Sequence, residues 1–289
     1  MKNNRLSNFF NFLVYLNTKK ESLYQDYKKS IELQELMQRC KVKTVFQPIL
    51  SLEEGSTIGF EILNRPQSTE LFPTTESFYE YVGKSNDVFA VEQFLRNLSL
   101  ERFSEQIINF KHHKEPLIFL NIQPQVLADP AYRTGITLEL LAKYNLSPNQ
   151  IVLELTEKEA VFNYKQFEIM IEHYRKQGFR IAVDDAGTGY NSLQTLVRIK
   201  PEFIKLDKSL IREINYHPEK QHLVELLMDF AIQSNTKVIA EGIEDASELK
   251  FLINLGVHMG QGFALGKPEP ELVNGRIPIS NTILQTQLV

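Results

Sequence analysis

The sequence is short of the residues that staple or anchor a chain. Cys40 is the only cysteine among 289 residues, so no intramolecular disulfide can form and a cysteine zinc site is excluded. The six histidines, His112, His113, His173, His217, His222 and His258, show no close helical pairing suited to a metal. No apolar run reaches the ~18 residues of a membrane span. Positive charge is not in excess either: 32 Lys+Arg face 36 Asp+Glu. A generic DNA binder would need a basic stripe, so no DNA partner is expected. Lys2 and Arg5 precede the apolar run Phe9 to Leu16, a weak likeness to a signal peptide. No small-residue cleavage site follows, and Lys19-Lys20-Glu21 comes instead, so a cytoplasmic location is expected.

What is present suits a globular protein. The chain is 43% hydrophobic with a formal charge of -4, which excludes disorder for most of its length. Its length fits two domains of ~150 residues or a single barrel of ~250. Residues 1–44 differ from the rest: nine Lys/Arg (2, 5, 19, 20, 28, 29, 39, 41, 43) stand against four Asp/Glu (21, 26, 32, 35). They contain no Pro or Gly and read as helix. The expectation is a basic helical extension over 1–43, ahead of one domain over 44–289. The extension either packs on that domain or offers a surface to a partner protein or the inner face of a membrane.

From residue 44 short apolar runs recur at 44–50, 57–63, 117–122, 151–155, 180–184, 203–207, 237–241 and about 257–262. Helix-compatible stretches at 74–104, 124–144, 157–177, 190–199, 208–235 and 245–255 fill most gaps. Eight strands alternating with helices predict an α/β barrel of the (β/α)8 kind. Only Ser51 to Ser56 separates the first two strands. A parallel crossover needs a dozen residues or more, so the first strand is expected to run antiparallel to the second.

Polar groups recur where these runs finish: Gln47, Glu61, Asn121, Glu154, the pair Asp184-Asp185, Lys205 with Asp207, Glu241 and Gln261. Barrel enzymes place their sites at the C-terminal mouth, where these groups would converge. Carboxylates crowded together raise each other's pKa and repel, so cations must neutralise them. An all-oxygen ligand set selects Mg²⁺ or Mn²⁺, with Ca²⁺ as a further candidate, over zinc or copper. Two adjacent carboxylates suit a pair of metals, a device for cleaving phosphate esters. Lys205 could orient the attacking water or neutralise charge on the phosphate. Any one of these acids alone is more often a solvated terminus or a helix cap. Gly187-Thr188-Gly189 reads as a tight turn or a phosphate cradle. Arg65 reads as a phosphate grip or a surface salt bridge. Glu157 caps a helix or braces the loop that carries the Asp pair, and Asp207 either ligates or holds Lys205.

Together these motifs resemble the EAL-domain family, the cyclic di-GMP phosphodiesterases of bacteria. Phe46-Gln47-Pro48-Ile49 is similar to the family's opening Y/F-Q-P-I, and Glu61-Ile62-Leu63-Asn64-Arg65 to its E-A-L-x-R signature. Asn121-Ile122, Glu154-Leu155-Thr156-Glu157, Asp184 to Tyr190, Lys205-Leu206-Asp207, Glu241 to Glu244 and Gln261-Gly262-Phe263 follow in the family's order. The resemblance implies hydrolysis of cyclic di-GMP to linear pGpG with two Mg²⁺ or Mn²⁺ ions, Ca²⁺ being non-productive. It implies metal ligation by Glu61, Asn121, Glu154, Asp184, Asp185 and Glu241. Catalytic roles fall to Lys205, Glu61, Glu241 and Glu157, and substrate contacts to Gln47, Leu63, Arg65, Asp207 and Gln261. It also implies a homodimer formed through the loop and helix over 184–200. Ala186 replaces the family's Phe and removes an apolar anchor, a loss of about 1–3 kcal/mol if that ring is buried. No Gly-Gly-Asp-Glu-Phe stretch occurs, so no diguanylate cyclase domain is expected in this chain. The alternatives are a weak or inactive cyclic di-GMP receptor that acts through protein partners, and a barrel enzyme that stabilises an enolate.

Overall fold

The computed structural model describes residues 2–278 except 112–114, 124, 127–128, 130–132, 134, 157–163 and 188–191. The described residues fall into two compact units. The first joins the N-terminal segment through Lys43 with Arg65–Glu80; the second joins Thr44–Asn64 with the chain from Tyr81 onward. Among the described residues no helix is long and apolar enough to cross a membrane.

In the first unit, helix α1 runs from Lys2 to Leu36, and a short 3-10 turn follows at Arg39–Lys41. Leu33 and Leu36, near the end of α1, are buried, as are Phe72 and Phe78. The rings of Phe72 and Phe78 meet edge to face at 5.8 Å. The Gln67 N–H donates to the Lys41 carbonyl, which ties the returning segment 65–80 to the end of the extension.

The strands form a closed barrel in the order β1 to β8: Val42–Ser51, Thr57–Pro66, Leu117–Asn121, Ile151–Thr156, Arg180–Ala186, Phe203–Leu206, Lys237–Ala240 and Met259–Gly260. β2 through β8 are parallel neighbours, whereas β1 closes antiparallel against β8, with Leu50 opposite Gly260. The short connection dictates this reversal: Gly55 (φ 69) turns the chain, and the Ser51 N–H donates to the Ser56 carbonyl. The fold is therefore a modified (β/α)8 barrel whose first strand is inverted.

The strands alternate faces with a period of two. One face fills the barrel: Ile49, Phe119, Val152, Ala182, Phe203 and Ile239 form an interior cluster. The intervening residues, among them Phe60, Ile118, Leu153, Ile181, Ile204 and Val238, point outward into the shell beneath the helices. A partly buried polar network joins β1, β2 and the long helix Val88–Ile107. Thr44 Oγ1 donates to Asn64 Oδ1 at 2.7 Å, Asn64 Nδ2 to Ser99 Oγ at 2.8 Å, and an Arg102 guanidinium N–H to Thr44 Oγ1 at 2.8 Å.

Helical boundaries differ from the sequence reading where turn residues intervene. The stretch 74–104 is two helices, Thr75–Val82 and Val88–Ile107, broken at Gly83 to Asp87, where the Asp87 N–H bonds the Ser85 hydroxyl. The stretch 208–235 divides into Lys208–Ile211, a 3-10 turn at Ile214–Tyr216, and Pro218–Ser234, with Pro218 opening the last helix. Within 124–144 the described helix is Ile136–Lys143.

Two glycines next to polar strand ends allow close backbone approach. A Cβ on Gly242 (φ 63) would lie 2.5 Å from Lys208 Cβ, and one on Gly262 would lie 2.2 Å from the backbone N and O of Ile243. We expect Gly262→Ala to destabilise the fold by about 1–3 kcal/mol or more, because backbone rather than a flexible side chain must give way. Thermal unfolding should show a midpoint at least ~2–4 °C lower. An unchanged midpoint would mean that the Ile243 backbone moves freely.

Candidate active site

Two residues toward the mouth from the interior apolar layer, each strand turns polar. Gln47, Glu61, Asn121, Glu154, Asp184, Lys205, Glu241 and Gln261 occupy one layer, one residue per strand. In six strands the polar residue follows its apolar partner, as Val152 precedes Glu154 and Phe203 precedes Lys205, and in β2 Gly59 takes the place before Glu61. In inverted β1 the order is reversed, and Gln47 precedes Ile49. Gln47, and likewise Glu61 in Thr57–Pro66, thus lie within strands rather than at their finish, a correction to the reading that put these polar groups where the runs finish.

Lys205 stands at the centre, with a side chain 1% exposed. Its ammonium lies 2.7 Å from Glu154 Oε1 and 2.7 Å from Glu241 Oε1, and 3.4 Å from both Glu61 Oε2 and Asp184 Oδ1. Burial works against that charge, but Asp184, Glu154, Glu241 and Glu61 outweigh it and hold the ammonium well above its ordinary pKa. Lys205 can therefore donate hydrogen bonds and stabilise negative charge, but it cannot take up a proton.

The carboxylates around it differ because their donors differ. Burial alone would raise the Glu61 carboxyl, yet Lys205, Gln261 and Asn121 overcome it and hold it below its ordinary value. Gln261 Nε2 donates to Glu61 Oε2 at 2.7 Å, and Asn121 Nδ2 to Glu61 Oε1 at 3.1 Å. Glu154 has no such donors. Its described contact is the Lys205 ammonium, 2.7 Å from Oε1. Burial first, and then repulsion from Glu61, push its carboxyl well up. Burial also lifts Glu241 from 4.5 to about 8, against the pull of Lys205. Between those two values the folded form binds more protons at Glu241 than the unfolded chain does. The group's contribution to metal-free stability therefore falls as pH rises across that window.

Asp185 joins the site through a backbone irregularity. Strict alternation would send it outward after Asp184. The register between β5 and β6 instead shifts across Val183 to Ala186, and Asp185 adopts φ 55. A left-handed non-glycine residue costs about 1–2 kcal/mol. In return the adjacent carboxylates share one side, and oxygens of Asp184, Asp185 and Glu241 lie within 4.8 Å of one another. Ala186 then faces outward, fully buried in the shell and paired with Leu206.

Five carboxylates thus gather around one ammonium, leaving an excess of negative charge that hydrogen bonds do not satisfy. Oxygen-only donors and three converging carboxylates fit a hard divalent cation such as Mg²⁺, Mn²⁺ or Ca²⁺.

The remaining expected site residues are distributed differently. Gln47 accepts from Gln261 Nε2 at 3.1 Å and donates to the Gly266 carbonyl at 3.3 Å. Leu63 is half-buried on the Glu61 side of β2, and exposed Arg65 falls in the first unit. Asp207 Oδ1 accepts the Ser209 N–H at 2.9 Å and caps Lys208–Ile211. Glu157 and residues 188–190 lie outside the described residues. The sequence reading missed Gly266 as a partner of Gln47, since a backbone carbonyl carries no residue-type signal.

Removing the central cation should isolate the acids. We expect Lys205→Met, in the presence of a chelator, to cost about 3–5 kcal/mol in urea unfolding, the scale for breaking a buried ion pair. A loss below about 1 kcal/mol would mean that the carboxylates are already neutral without Lys205.

Comparison with known proteins agrees with this geometry. The model of the EAL domain matches residues 31–268. The chain is 30% identical over 241 residues to the probable cyclic di-GMP phosphodiesterase PdeB of Escherichia coli, covering 83% of this chain and 45% of PdeB. It is 31% identical over 232 residues to E. coli cyclic di-GMP phosphodiesterase PdeR, covering 78% of this chain and 33% of PdeR. It thus spans less than half the length of these curated relatives. The PaMucR phosphodiesterase in its c-di-GMP complex superposes with a TM-score of 0.74 at 24% identity, covering 84% of this chain and 98% of that one. The Klebsiella pneumoniae BlrP1 manganese/cy-diGMP complex does so at 0.72 and 23% identity, covering 83% and 59%. With its family model matched across most of its length, the chain belongs to the EAL-domain family.

Proposed function

We propose that this chain hydrolyses one phosphodiester of cyclic di-GMP to linear pGpG with Mg²⁺ or Mn²⁺. The observation that carries the reading is the polar layer with Asp185 beside it: five carboxylates, two amides that brace Glu61, and one buried ammonium. Relatives named as cyclic di-GMP phosphodiesterases, and a similar fold solved with manganese and the nucleotide, support it.

In this reading Glu61, Asn121, Glu154, Asp184, Asp185 and Glu241 hold two divalent ions. Bound there, the ions would activate water and stabilise the leaving oxygen. The chain's own residues do the positioning. Gln261 and Asn121 keep Glu61 ionised and fixed in direction. Lys205, held as an ammonium, offers a donor and a positive charge to the attacked phosphate and its water. Gln47, Leu63, Arg65, Asp207 and Gln261 contact the substrate, and Glu157 supports the loop after Asp185. A homodimer through 184–200 finds support in the helix Ser192–Ile199, where Leu193 and Val197 are 61% and 56% exposed one turn apart. The receptor alternative draws on Ala186, but that residue is fully buried without a larger ring.

The test is incubation of the chain with cyclic di-GMP and Mg²⁺, Mn²⁺ or Ca²⁺, followed by chromatography. We expect pGpG with Mg²⁺ or Mn²⁺, none with Ca²⁺, and loss by more than ~100-fold in Glu61→Ala, beyond the ~10–100-fold typical of outer partners. Unchanged turnover in that variant would overturn the assignment; tight nucleotide binding without product would favour the receptor.

Proton linkage supplies a second prediction. Glu241 holds a proton below about 8, and a cation must displace it. Calorimetric titration with Mn²⁺ should therefore show affinity rising with pH through about 8, with protons released below that value. Constant affinity and no proton release across that range would contradict it.

A further inference from the structure

Helix α1 is the largest feature that the proposed chemistry does not use. From Phe9 through Tyr24 every residue is exposed, although Phe9, Phe10, Leu13 and Leu16 are strongly apolar. Long helices in water take most of their stability from packing an apolar face, and a contiguous exposed apolar surface marks an interface.

The spacing identifies the kind of occupant. Phe9, Leu13, Leu16, Lys20, Leu23 and Tyr27 follow one another at intervals of four and three, the a/d rhythm of a coiled-coil seam, with Lys20 as its one polar member. The apolar members of the seam are 37–63% exposed, from Leu16 to Tyr27. Such a seam is shaped to receive side chains of another helix. The apolar run Phe9 to Leu16 is only ~12 Å long, too short for a ~30 Å hydrocarbon layer.

Charge selects the partner and its direction. Between positions 2 and 20 the sequence holds Lys2, Arg5, Lys19 and Lys20 and no acid. Between 21 and 36 it holds Glu21, Asp26, Glu32 and Glu35 against Lys28 and Lys29. A parallel pair of identical helices would set basic half on basic half and Lys20 on Lys20. An antiparallel pair sets opposite charges together. About a centre at residue 18, Phe9 faces the second copy's Tyr27, Leu13 faces Leu23, and Leu16 faces the aliphatic stem of Lys20. Lys2 and Arg5 then fall opposite the segment bearing Glu32 and Glu35.

We propose that α1 pairs antiparallel with α1 of a second copy of this chain, through the seam Phe9, Leu13, Leu16, Leu23 and Tyr27. The pairing is symmetric and closed, as a two-fold dimer requires.

The test is cross-linking of the full chain in a Cys40→Ser background, which leaves engineered thiols as the only ones. Phe9→Cys protein and Tyr27→Cys protein are oxidised mildly, alone and mixed. Both positions are exposed, and circular dichroism checks that the fold is kept. The proposal expects disulfide-linked dimer in the mixture, none above background with either protein alone, and none when Tyr15→Cys, off the seam, replaces Phe9→Cys. Cross-linking of Phe9→Cys alone would show a parallel pair and overturn the proposal. Absence of any cross-link would overturn it too, and sedimentation with anionic phosphatidylglycerol vesicles would then identify a lipid surface as the occupant. The readout involves neither metal nor nucleotide, so its failure is distinguishable from failure of the phosphodiesterase reading.

Discussion

A single buried ammonium holds the interior of this barrel together. Lys205 touches or closely approaches acids from β2, β4, β5 and β7, so four strands converge on one positive charge. Its attraction opposes the large desolvation penalty of burying those carboxylates, but one cation cannot balance five acids. The imbalance is distributed unevenly. Glu61, braced by two amides, remains ionised, while Glu154 and Glu241 are driven toward their protonated forms. A site in this state is poised to exchange protons for a divalent cation.

The rest of the barrel makes that arrangement available. Period-two alternation stacks a polar layer directly on an apolar one, so Phe119, Val152 and Phe203 seal the floor beneath Asn121, Glu154 and Lys205. Inverting β1 brings Gln47 into the layer from the opposite chain direction, where it links Gln261 to the Gly266 carbonyl. One left-handed residue, Asp185, lets two consecutive carboxylates share a side that a regular strand would separate. Gly242 and Gly262 admit neighbouring chain where any side chain would collide.

Much of this was legible in the sequence because it rests on residue type and period. Eight apolar runs mark eight strands, the six-residue connection marks the inversion, and the acids mark the layer. The less legible features depend on geometry that residue type does not encode. Asp184-Asp185 reads as a pair, but nothing in the letters shows that a register shift is needed for both to face the mouth. The network of Thr44, Asn64, Ser99 and Arg102 joins neutral and charged residues far apart in the chain, each unremarked by itself. Segment 65–80, continuous in sequence with β2, groups with the N-terminal segment, where the Gln67 N–H bonds the Lys41 carbonyl. Asp207 reads as a ligand or as a holder of Lys205, and its further use as the cap of the helix that begins at Lys208 is set by where that helix starts.

The central claim is that the excess of buried carboxylates is matched by a divalent cation. The most direct measurement is the thermal unfolding midpoint of the full chain as Mn²⁺ is raised, at ionic strength held constant with NaCl. The account predicts a saturable rise, worth about 2.7 kcal/mol at one hundred times the dissociation constant, with no comparable effect of Na⁺. A midpoint indifferent to Mn²⁺ would contradict it, and would mean that the carboxylates of this layer are neutralised by protons and Lys205 alone.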